Sequence, residues 1–283
     1  MTSTDLFIGR QLIIATRHGK EKLIGPVLQA ELGVEIVHLE NLDTDQFGTF
    51  TGEVERELDP LTTARKKCEI AMNESRLDLA VASEGSFGAH PVIPFVPANE
   101  ELLLMVDRKN KLEIWVKEIS AETNFAGKQI KDLTELEKFC EQTRFPSHAL
   151  IIRTAANDNR HIVKAICDEN FLIETFRFFI QTYGVAYVET DMRSMYNPMR
   201  QKVIAKAAWK LSEKMKSVCP ACQRPGFGVT EVRAGLPCNH CGSKTKSTLS
   251  HQYKCDHCGY LTEKFFPHGR LSEDPMFCDQ CNP

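Results

Sequence analysis

Eight cysteines stand in four CxxC pairs, Cys219/Cys222, Cys238/Cys241, Cys255/Cys258 and Cys278/Cys281, within residues 219–283. A CxxC pair folds into a tight knuckle that turns both sulfurs to one point. Two knuckles complete the four-thiolate tetrahedron that Zn²⁺ takes in a structural role. Four pairs therefore predict two structural zinc ions. Glycine follows the knuckle in "CNHCG" and "CDHCG", as a tight turn favours. Sequential pairing, first with second and third with fourth, closes the shortest loops and is the expected arrangement. The alternative is nested: Cys238/Cys241 with Cys255/Cys258, and the outermost pairs together. His240 and His257 lie between ligands, but four thiolates fill each site without them.

A second group of residues could do phosphate and metal chemistry. Thr16, Arg17, His18, Lys20 and Lys22 follow the apolar run "QLIIA"; Asp43 and Asp45 follow "VEIVHL"; Ser83, Glu84 and Ser86 follow "DLAVA". Basic groups at the first turn of a helix suit phosphate oxygens, and clustered carboxylates suit Mg2+. Together they would allow a metal to bridge a substrate and activate water, with Asp43, Asp45 and Glu84 as the catalytic carboxylates. The plainer alternative makes Arg17 and Glu84 an ion pair. A later stretch, "VETDMRSMYNPMR", adds Glu189, Asp191, Arg193, Asn197 and Arg200, as members of the same cleft or as helix caps and surface pairs. "EGSFG" lacks the first glycine of the GxSxG nucleophile elbow, which argues against a serine hydrolase built on Ser86. Cys68, Cys140 and Cys167 read as core cysteines of helices.

The elements that would position these groups follow from periodicity. Strands are expected at 11–16, 34–39 and 78–83, with helices at 20–32 and 60–76, the second opened by Asp59-Pro60. Residues 40–59 carry no period and read as a long loop. "VIPFV", "ELLLMVD" and "KLEIWVKEIS" suggest an antiparallel extension. A helix, strand, helix and strand follow, and a long amphipathic helix from "NPMR" leads into the cysteines. This is an α/β fold, a mixed sheet with flanking helices, plus a small C-terminal zinc-ribbon module. The expected domains are 1–217 and 218–283.

The chain has 283 residues, of which 42% are apolar and 26% charged, with net charge −3. No apolar run reaches the ~20 residues of a membrane span. Eleven cysteines and an N-terminus without the pattern of a signal peptide point to metal ligation in a cytoplasmic protein. Nucleic acid gains no support from charge, because residues 219–283 hold seven Lys/Arg against six Asp/Glu. Lys202, Lys206, Lys210 and Lys214 read as a solvated helix face.

By "TRHGKE", "DTDQFGTF", "ASEGSFG", "NPMR" and "CDQCNP" the chain resembles a bacterial family of proteins of unassigned activity. Through "TRHGKEK", "PLTTARKKCEIAM" and "VASEGSFG", residues 11–90 also resemble nucleotide pyrophosphatases of the inosine-triphosphatase type, with His18 where that type has asparagine. That resemblance implies that Lys20 or Lys22 and Lys67 touch phosphates and that Glu84 helps hold Mg2+. Two functional readings follow. One is a zinc-containing protein that binds, and as an enzyme hydrolyses, a nucleotide or other phosphorylated ligand with Mg2+. The other is a non-enzymatic zinc-ribbon module for nucleic acid or protein on an α/β scaffold.

Overall fold

The computed structural model describes residues 3–16, 19–37, 39 and 58–283. The chain divides into one unit of residues 8–212 and another of residues 1–7 with 213–283. Among the described residues no helix is long and apolar enough to cross a membrane.

The larger unit opens with β1 (Gln11–Ala15), α1 (Glu21–Leu32), β2 (Glu35–Val37), α2 (Pro60–Ser75) and β3 (Leu79–Ala89), followed by β4 (Pro97–Asp107) and β5 (Leu112–Ser120). They form one mixed sheet in the order β2-β1-β3-β4-β5. β1 runs parallel to both neighbours, and β3, β4 and β5 are antiparallel. α2 starts where Asp59 accepts from the backbone N–H groups of Leu61 and Thr62, both at 3.0 Å. Its stripe of Ala64, Cys68, Ala71 and Met72 packs on Ile13, Ala15, Ala80, Ala82, Leu102 and Leu104. α1 ends at Gly33, whose φ of 67° is a conformation glycine adopts without steric cost.

Two expectations need correction. The third strand does not stop at Ser83. Its pairing with β1 ends at Ala15↔Ala82, but β3 continues beside β4 through Glu84↔Leu102 and Gly85↔Glu101 to Ala89↔Pro97. A full ladder on the β4 side outweighs the weak strand preference of two glycines. "VIPFV" is not a strand: it lies in the turn between β3 and β4, with Val92 and Phe95 exposed. Pro91 and Pro94 have no N–H to give a ladder.

Residues 127–190 build a second, antiparallel sheet from β6 (Gly127–Ile130), β7 (Leu150–Arg153), β8 (Ile162–Ile166) and β9 (Ala186–Thr190), in the order β6-β9-β7-β8. α3 (Leu133–Thr143) and α4 (Glu169–Tyr183) supply Leu136, Phe139, Leu172, Phe176 and Phe179 to its core. α5 (Pro198–Lys216) follows. Asn197 opens α5 by accepting from Arg200 N–H at 2.9 Å, while its amide donates to Asn124 at 2.8 Å. Of the lysine stripe on α5, Lys206 and Lys210 both pair with Glu118 of β5. Burial pushes the Glu118 carboxyl up, but the two ammonium groups outweigh it and hold it below its ordinary value.

The smaller unit carries β10 (Gly228–Ala234), β11 (Thr248–Lys254) and β12 (Leu261–Phe265), an antiparallel sheet in that order.

Candidate metal centres and a buried charge cluster

The eight cysteines form two sets, Cys219/Cys222/Cys255/Cys258 and Cys238/Cys241/Cys278/Cys281, with the ligand atoms of each set within 4.8 Å of one another. Sγ–Sγ separations are 3.7 Å for Cys219–Cys258 and Cys222–Cys255, 3.9 Å for Cys238–Cys281 and 3.6 Å for Cys241–Cys278. Zinc–sulfur bonds of about 2.3 Å arranged tetrahedrally give edges of roughly 3.8 Å. Both sets fit a structural zinc ion, in which the metal would cross-link the chain and do no chemistry. Backbone N–H groups close the knuckles, with Gln223, Gly242, Gly259 and Asn282 donating to the carbonyls of Cys219, Cys238, Cys255 and Cys278. Gly242 and Gly259 have φ of 72° and 74°, which explains the glycine after each knuckle. His240 and His257 are exposed.

The pairing is interleaved, first with third and second with fourth, and neither arrangement expected from sequence is correct. Sheet register decides it. Gly228 of β10 pairs with Lys254 of β11, which brings the knuckle before β10 to the knuckle after β11. At the other end Ala234 pairs with Thr248, and β12 runs back so that Phe265 opposes Ser250. The second knuckle lies in the β10–β11 connection, and the fourth follows β12. A cross-tie joins them, with Asn239 N–H donating to Glu273 at 2.9 Å and Glu273 N–H to Pro237 at 2.8 Å. Loop length was the wrong criterion, because strand pairing closes these loops in any case.

Interleaving predicts an unusual zinc stoichiometry. Cys219→Ala and Cys255→Ala should each lower the content from two zinc ions to one, and the double variant should still hold one. Sequential or nested pairing would leave that double variant with none. Native mass spectrometry reads the difference directly.

In the larger unit, buried charges collect around β3, beyond the end of its pairing with β1. Glu101 of β4 is fully buried and accepts from Arg200 Nε at 2.6 Å. Lys20, at the start of α1, donates to Ser83 Oγ at 3.0 Å and stands 3.6 Å from Glu101. Arg200 also donates to the Met192 carbonyl at 2.5 Å. On the α2 side of β3, Lys67 pairs with Glu84 at 2.6 Å. Gly85 makes room for this packing: a Cβ there would lie 2.3 Å from Arg200 Nη2 and 2.5 Å from Glu101 Oε1. Gly88 has open space around its Cβ position, so the two glycines of "EGSFG" do different work.

These charges set each other's protonation. Burial pushes the Lys20 ammonium down to about 8; Glu101 and Glu84 oppose this, while Arg200 and Lys67 add to it. Burial raises the Glu101 carboxyl, but Arg200 and Lys20 outweigh it and hold it below its ordinary value.

Of the residues expected from sequence, Lys20 and Arg200 meet at Glu101, and Lys67 pairs with Glu84 on the α2 face of β3. Thr16 is buried at the end of β1. Lys22 is exposed on α1, and no described contact joins it to the cluster. Arg193 is held elsewhere, by both oxygens of Asp191 and over the Tyr196 ring. Asn197 serves as a cap. Arg17, His18, Asp43 and Asp45 lie outside the described residues. Glu101 and Glu118 were missed, although a signal exists. Each shares a strand face with apolar neighbours two and four positions away (Leu103 and Met105; Val116 and Ile114), which marks a carboxylate directed into a core.

Residues 67–283 match a family described as a domain of unknown function, DUF6671. The chain belongs to that family. The DUF6671 match takes in the eight cysteines of both sets together with Lys67, Glu84, Glu101 and Arg200, while Lys20 and β1 precede it. No curated protein matches the sequence.

Proposed function

We propose that the α/β unit binds a phosphorylated ligand at the buried cations Lys20, Lys67 and Arg200, and that the zinc module is structural. One observation carries this reading: three buried cations, Lys20, Lys67 and Arg200, lie at one end of the sheet, beyond the β1–β3 pairing. Two further points support it. Lys20 stands at the first turn of α1, where helix N–H groups favour phosphate. The cluster also lies past the carboxyl end of a parallel strand, where α/β sheets place ligands. The likeness to inosine-triphosphatase-type enzymes implies Lys20 or Lys22, and Lys67, as phosphate contacts.

The proposal is one of binding. Mg2+ does not fit the described residues, because Glu84 is held by Lys67, Glu101 is held by Arg200, and the described metal-ligand sets consist of cysteine alone. No hydrolytic step through Glu84 is assigned.

The pH dependence follows from Lys20. The folded protein releases this proton near pH 8, whereas the unfolded chain keeps it to about 10.5. Unliganded stability should therefore rise between those values. Phosphate affinity should move the other way, falling as pH rises through about 8, because the protonated amine is the form that binds.

Calorimetric titration with inorganic pyrophosphate tests the reading. Lys20→Met should melt at or above the wild-type temperature, since it removes a desolvated charge, yet bind at least tenfold more weakly. Equal affinity in the two proteins would refute the proposal.

A further inference from the structure

A groove of about 430 Å³ runs between α3 and α4. Leu133 and Leu136 of α3, Leu172 and Ile173 of α4, and Phe145 in the turn after α3 give it an apolar lining. Leu136 and Leu172 belong to the buried core beneath, whereas Leu133 is 41% exposed. The charged groups on the lining are all carboxylates: Glu137 and Glu141 on α3, and Glu169 in the first turn of α4. Among the described residues none of the three is held in an ion pair. Glu169 has a local reason for its place, because the first turn of a helix favours an anion. Glu137 and Glu141 have none: they are like charges four apart on one helix, which weakens it. The field of these groups reaches the lining. Burial, with Glu169 and Glu137 adding to it, pushes the half-buried Cys140 thiol up to about 11.

We propose that this groove docks a basic amphipathic helix of a partner protein, with apolar side chains against the lining and Lys or Arg side chains on the carboxylates. The inference stands apart from the phosphate reading. An apolar groove receives the apolar face of a helix through residues at i, i+3, i+4 and i+7. Glu137 and Glu141 stand about 6 Å apart along their axis, which matches the rise between basic residues four apart on a partner helix. An acidic helix would meet like charge at the rim. A second copy of the chain offers no such surface. On its basic helix, α5, Lys206 and Lys210 are held by Glu118, and the apolar face of Val203, Ala207 and Leu211 is buried.

Random peptides displayed on phage and selected on the full chain supply the probe, and calorimetry with the synthetic peptides measures it. The enriched sequences should carry apolar residues at helical spacing together with two or more Lys or Arg. The double variant Glu137→Lys/Glu141→Lys, at exposed positions, should bind such a peptide at least tenfold more weakly. Leu133→Asn should weaken it several-fold with the charge of the rim unchanged. Wild-type affinity should fall as salt is raised. Selection of no peptide, enriched peptides without net positive charge, or affinity that the double variant leaves intact overturns the proposal. So does a dimer, seen by light scattering, that the double variant disperses, because the groove is then taken by a second copy.

Discussion

Removal of zinc with a strong chelator should unfold residues 217–283 and leave the larger unit folded. From 217 to 283 the buried apolar side chains are Pro225, Leu236 and four cysteines, Cys219, Cys238, Cys255 and Cys278. One leucine and one proline cannot offset the backbone entropy of so long a segment, about 1–2 kcal/mol for each residue ordered. The three strands also leave Val232, Leu261 and Phe265 more than half exposed, and the aromatic contacts of Phe227 with Tyr253 and Tyr260 are a small cluster for so long a segment. The metal sites must supply the difference, and structural zinc is worth an apparent 10–16 kcal/mol at neutral pH in small zinc-finger peptides. Interleaving places one site at each end of the sheet, so loss of either metal frees strand ends that the other cannot hold. The expected result is loss of the module's amide protection on chelation and its return on adding zinc. Residues 8–212, with their own apolar clusters, should keep theirs. Full protection of β10, β11 and β12 in the metal-free protein would contradict the account.

The second large effect is expected from Arg200→Met. Arg200 and Glu101 are both buried and joined at 2.6 Å. Removing one member of such a pair leaves the other charge desolvated, which costs about 3–5 kcal/mol. Lys20, 3.6 Å from Glu101, would compensate part of that loss, so a value near the lower figure is expected from denaturant unfolding. Gly85→Ala strikes the same pair from the strand side, since its Cβ would overlap both partners. The contrast with Lys20→Met is informative: one buried cation holds the fold together, and the other burdens it. A loss below 1 kcal/mol in Arg200→Met would show that the pair does not organise this region.

Much of this was legible in the sequence, for identifiable reasons. Helices such as α2 and α5 carry both a periodic apolar face and a start signal, Asp59-Pro60 and Asn197-Pro198, so their ends were placed to within a residue or so. The cysteine ligands were legible because CxxC spacing is local. Their partners were not, because pairing follows the β10–β11 register, a long-range property. β6 and β8 escaped notice: "GKQI" leaves three of four residues exposed, and "IVKAI" is mostly half-buried, so neither shows a strong period of two. The charge cluster was half legible. Lys20, Glu84 and Arg200 stood out as charges after apolar runs and Lys67 only through a resemblance, but Glu101 sits inside such a run. Its role depends on Gly85, opposite it on β3 and 16 positions earlier in the chain.

The most direct measurement is the protonation of Lys20 with and without ligand. Side-chain nitrogen NMR on labelled protein, with the signal assigned by its absence in Lys20→Met, follows the ammonium group across pH. The account predicts a midpoint near pH 8 in the unliganded protein, moving upward by a unit or more with saturating pyrophosphate, because the bound anion favours the charged form. A midpoint that pyrophosphate leaves in place would mean that no phosphate reaches the cluster, and the proposed function would fall.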